Sequence, residues 1–86
     1  MTPHEKAQLG LKQIEDAVIE LLALHGDWMS RPDIARELDI ESYYKSGHGG
    51  YLSGGICKTL VERGILETRG GGGPGQTTFY RIKKSN

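Results

Sequence analysis

Leu60-Val61-Glu62-Arg63-Gly64-Ile65-Leu66-Glu67-Thr68-Arg69, followed after a glycine-rich gap by Thr77-Thr78-Phe79-Tyr80-Arg81-Ile82, is the stretch on which the fold turns. The residue pattern changes period within it. Leu52, Ile56 and Leu60 recur every fourth residue, with Cys57 and Val61 beside them, which marks one face of a helix over about residues 51–63. Gly64 is a natural helix stop. Ile65 to Arg69 and Thr77 to Ile82 are β-prone, and the second alternates, so both read as strands. Between them, Gly70 to Gly75 holds five glycines and Pro74 and reads as a loop. The expectation is a helix that runs straight into a β-hairpin over residues 65–82.

Upstream, Thr2-Pro3-His4-Glu5 has the form of a capping box with proline in the first turn. Ile14, Val18, Leu21, Leu22 and His25 then lie on one helical face, and Gly26 stops the helix. A first helix is therefore expected from about Pro3 to His25. Asp27-Trp28-Met29 suits a brief extended segment, with Trp28 anchoring the core beside it. Ser30-Arg31-Pro32-Asp33 opens a second helix of about two turns, carried by Ile34, Ala35 and Leu38 and ended at Asp39-Ile40. Residues 41–50 form a polar connection rich in glycine and tyrosine. Gly54 and Gly55 each cost the third helix ~1 kcal/mol against alanine, so that helix depends on packing. A frayed tail is expected from Lys83. The sum is one α+β domain over residues 1–86: three helices around a core, with a C-terminal hairpin in a sheet of two or three strands.

With 86 residues there is room for one modest core and little space for a catalytic cleft with its own supporting shell. No apolar run approaches the ~18–20 residues of a membrane span, so no membrane partner is expected. The N-terminus lacks a secretory pattern, and Cys57, the single cysteine, cannot form an internal disulfide; a cytoplasmic address is expected. Net charge is zero but unevenly spread. Residues 1–44 hold four Lys/Arg against nine Asp/Glu, and residues 45–86 hold seven against two, so a polyanion would meet the second half. No nucleophile, acid and base stand in a catalytic arrangement, and Glu15-Asp16 and Glu62 with Glu67 read as solvated surface. An enzyme is not expected. The run from Gly70 to Thr77 comes close to a phosphate-binding loop, but Gln76 stands where lysine is needed and a strand, not a helix, follows. His4, His25 and His48 lack ligand spacing, so neither metal nor cofactor is implied. His25 reads as a cap on the first helix dipole, and Cys57 as a small buried residue.

The order helix, short strand, helix, helix, strand, glycine loop, strand resembles the winged helix-turn-helix domain of small bacterial and archaeal transcription regulators. Carrying the resemblance are Leu60 to Glu67, Arg69, the glycine loop and Phe79-Tyr80-Arg81-Ile82, within a match from about residue 12 to 83. One departure is the connection before the third helix, roughly ten residues where a turn of three or four is usual. The resemblance implies double-stranded DNA binding in transcriptional control, with a recognition helix at 51–63 and a wing at 65–82. On that helix Lys58 is expected to contact guanine or phosphate, and Tyr51 and Ser53 phosphates near its start, while Gly54 and Gly55 permit close approach. Arg69, Gln76 and Arg81 are expected on the wing. Arg31 would touch phosphate from the start of the second helix, or else be a surface arginine paired with Asp27 or Asp33. In the insert, Lys45, Ser46 and His48 are phosphate candidates, whereas Tyr43 and Tyr44 serve an interface or cover the core edge. Few cations on one copy make a homodimer a reasonable expectation. The alternative function is a protein-interaction module, or a subunit of a larger nucleic-acid-processing complex.

Overall fold

The computed structural model describes residues 1–40, 51–71 and 75–84, with Tyr51 described by its backbone alone. The order is α1 (Pro3–His25), β1 (Met29–Ser30), α2 (Arg31–Leu38), α3 (Tyr51–Glu62), β2 (Leu66–Gly70) and β3 (Thr78–Ile82). This is an α+β arrangement of three helices and a small antiparallel sheet, compatible with a winged-helix layout. No helix among the described residues is long and apolar enough to cross a membrane.

Caps fix the helix ends. The Thr2 hydroxyl accepts from the Glu5 N–H at 3.1 Å, and the Glu5 carboxylate accepts from the Thr2 N–H at 3.2 Å. Ser30 caps α2 by accepting from the Asp33 N–H at 3.2 Å. Helices α2 and α3 both close with the paired bonds of a Schellman turn. In α2 the Asp39 N–H reaches Arg36 and the Ile40 N–H reaches Ala35; in α3 the Gly64 N–H reaches Val61 and the Ile65 N–H reaches Leu60.

β3 is the middle strand, with β1 and β2 on either side. Leu66 stands opposite Ile82, Thr68 opposite Tyr80 and Met29 opposite Tyr80. Those residues face the helices, and Val18, Leu22, Ile34, Ile56, Cys57, Leu60, Leu66 and Tyr80 meet there as the core. The alternate residues Glu67, Arg69, Phe79 and Arg81 therefore share the sheet's outer face.

Three expectations need correction. Leu52 is 38% exposed, and Ser53, at 0%, takes the place in the core stripe that Leu52 was expected to hold. Trp28 stands outside the core cluster: Met29 points in, and the alternation of an extended chain carries Trp28 to the other face. The tail does not fray at Lys83, whose N–H donates to the Ile65 carbonyl at 3.0 Å and prolongs the β2–β3 pairing.

Candidate nucleic-acid interface

With Ser53, Ile56, Cys57 and Leu60 buried, helical geometry turns Gly55, Lys58 and Glu62 outward, and all three are exposed. Tyr51 belongs to the same face by its place in the helix; its side chain lies outside the described residues. Lys58 forms no ion pair among the described residues. Glu62 sets an acid at the far end of the face, and Arg63 turns aside to the Glu15 carboxylate on α1 at 3.1 Å. The face thus carries the Lys58 cation, a side-chain-free step at Gly55, and the Glu62 acid one turn beyond Lys58.

Ser53 is the corrected site residue. It cannot reach a phosphate, because it is fully buried and its hydroxyl accepts a hydrogen bond from the Arg31 guanidinium at 3.1 Å. Buried hydroxyls need such partners, and this one explains why a serine can sit in the core. Arg31 in turn spans from α2 to α3 and packs its stem beside Gly54, where an added Cβ would lie 3.7 Å from Arg31 Cδ. Neither Asp27 nor Asp33 pairs with it: Asp33 holds Arg36 at 2.9 Å, and Asp27 accepts from the Trp28 N–H at 2.8 Å. Burial pushes the neighbouring Cys57 thiol up to about 11, opposed by the Arg31 charge. Burial also raises Tyr80, with a further upward contribution from Cys57 and an opposing one from Arg31.

Sequence reasoning placed Trp28 in the core and missed its contact with the hairpin arginines. Both hairpin arginines lie over its indole, with the Arg69 guanidinium carbon 4.5 Å and that of Arg81 4.3 Å from the ring centroid. Arg69 also lies 5.6 Å from the Phe79 ring centroid. At exposed sites each such contact contributes ~0.5–1 kcal/mol. Arg81 is further tied to the Glu67 carboxylate, its cross-strand partner. The His25 ring N–H donates to the Trp28 carbonyl at 3.2 Å, which fixes the turn on which the indole is mounted. The available signal was the alternation Trp28, Met29, Ser30, in which an inward Met29 requires an outward Trp28.

Gln76 is exposed at the hairpin end. Lys45, Ser46 and His48, with Tyr43 and Tyr44, lie outside the described residues. The structure places Lys58 on the outward face of α3, Arg31 against Ser53 and Gly54 of α3, and Arg69 and Arg81 on the outer face of the sheet, which turns away from the helices, and it buries Ser53. Along the flank of α3, a groove of about 620 Å³ separates it from α1, with Leu11 and Leu52 on its walls. Among the described residues, no cluster of His, Cys, Asp and Glu is placed to hold a metal ion.

The chain matches no known protein family, no curated protein and no solved structure.

Proposed function

We propose that this is a winged-helix domain that binds duplex DNA, with α3 in the major groove and the hairpin as its wing. The observation that carries the reading is the outward face of α3. It is narrow and slim at Gly55, it bears Lys58, which forms no ion pair among the described residues, and the hairpin with its arginines leaves from the end of the same helix. A helix of this width fits a major groove about 12 Å across. Arg31 braces α3 against α2 through Ser53, so the reading element is held by the packed domain. Phosphate contacts would supply most of the affinity, and base contacts from Lys58 and Tyr51 the selectivity. Regulation of transcription is the role that such a domain would serve.

The test is an amide NMR titration of the labelled chain with a generic duplex at low and then higher salt. Shifts at Lys58 and the hairpin that fade with salt are the expected outcome. No shift at high concentration and low salt overturns the reading. A protein-interaction role is favoured by one observation, the α1–α3 groove with its exposed Leu11 and Leu52; shifts confined to that groove on adding a protein partner would support it.

A further inference from the structure

The two hairpin arginines differ in what holds them. Arg81 has a carboxylate, Glu67, and spends its Nε–H there. Arg69 lies over the Trp28 and Phe79 rings and donates no hydrogen bond among the described residues. A guanidinium held over a ring by its charge spends no N–H donor there, and its donors keep the fork geometry that matches two phosphate oxygens. Glu67, which shares the outer face of β2 with Arg69, pairs with Arg81, and Arg69 forms no ion pair among the described residues. Arg69 is also the last side chain of β2, followed by Gly70 and Gly71.

We propose that Trp28 is a positioning residue that holds Arg69 as a ready-made fork for a single backbone phosphate of duplex DNA. Arg81, stacked on the same indole and neutralised by Glu67, keeps the ring in place and is not itself the fork. The inference rests on the DNA-binding reading and adds to it a residue and a division of labour.

The experiment is the same duplex titration, followed at the Trp28 indole N–H, the Arg69 Nε–H and the Lys58 amide, on the full chain and on R69Q, W28A, W28F and R81Q. Thermal melts accompany each variant. Removing the fork in R69Q is expected to weaken duplex binding roughly tenfold. It should also lower the slope of log affinity against log salt by about one. W28A is expected to lose several-fold in affinity while keeping most of the salt slope, because the charge remains but is no longer held. W28F should recover part of that loss, and R81Q should change affinity less than R69Q. Unchanged affinity and slope in R69Q and W28A, with the Lys58 amide still shifting, overturns the fork and leaves the DNA reading standing. An indole shift without any Lys58 shift supports the fork and overturns the placement of α3. Silence at all three positions overturns both.

Discussion

Ser53 is a hydroxyl in a stripe of apolar side chains, and it is tolerated there because a guanidinium reaches it. Replacing it with alanine leaves an arginine donor facing a methyl group. We expect Ser53→Ala to destabilise the domain by roughly 1–2 kcal/mol, read as a fall in Tm of several degrees; an unchanged melt would mean that the bond contributes nothing. Cys57 gives a pH-dependent counterpart. Its thiol is raised from 9.0 to about 11 in the folded chain, so between those values the folded state holds a proton that the unfolded state has lost. The stabilisation is present at neutral pH and is lost as pH rises through that window. Two pKa steps correspond to ~2–3 kcal/mol, and the raised Tyr80 acts in the same direction. Denaturant titrations at pH 7, 9 and 11 should show the loss, with Cys57→Ala flattening it. In the native state the thiol should react slowly with alkylating reagents, since burial keeps it both neutral and covered.

The elements divide by what their ends depend on. Both limits of α1 were legible, because a capping box at Thr2 and Glu5 and a stop at Gly26 are local signals that the backbone obeys regardless of context. The α3 limits and both strands were legible for the same reason, through Gly64, the glycine loop and the alternation of Thr78 to Ile82. The rotation of α3 was not. Choosing Ser53 over Leu52 for the core depends on Arg31, which stands 22 residues earlier and meets it only in the folded chain. Of the candidate site, Lys58, Arg69 and Arg81 were named from the sequence, but that one indole holds both arginines is a property of the sheet register. Element ends also make a prediction. Gly70 has φ of 78°, and a Cβ there would lie 2.6 Å from the Thr77 carbonyl oxygen. Gly70→Ala should therefore destabilise the hairpin by more than ~1 kcal/mol, seen as faster amide hydrogen exchange in β2 and β3. Gly10, in the middle of α1, has nothing within 4 Å of such a Cβ. Gly10→Ala should leave the hairpin untouched and raise stability by up to ~1 kcal/mol.

For the whole molecule, charge sets the limits of binding. Eleven Lys/Arg balance eleven Asp/Glu, so attraction to a polyanion is local and not global. With Arg31 committed to Ser53, Lys58 and Arg69 are the described cations that the DNA reading turns to phosphate, and two such contacts give a log–log salt slope of roughly −2 for one copy. Affinity measurements between 50 and 200 mM salt would check this. A slope near twice that value would mean that two copies bind together, as the homodimer expectation holds. The sheet has a consequence for how the chain is made. Its middle strand is the last in sequence, and β1 and β2 each pair only with it. A ribosome therefore releases three helices and two unpartnered strands before Thr78–Ile82 emerges. Until then Trp28 has only one of its arginines, and Leu66 lacks the strand that covers it. β1 and β2 can therefore enter a sheet only once Thr78–Ile82 lies between them.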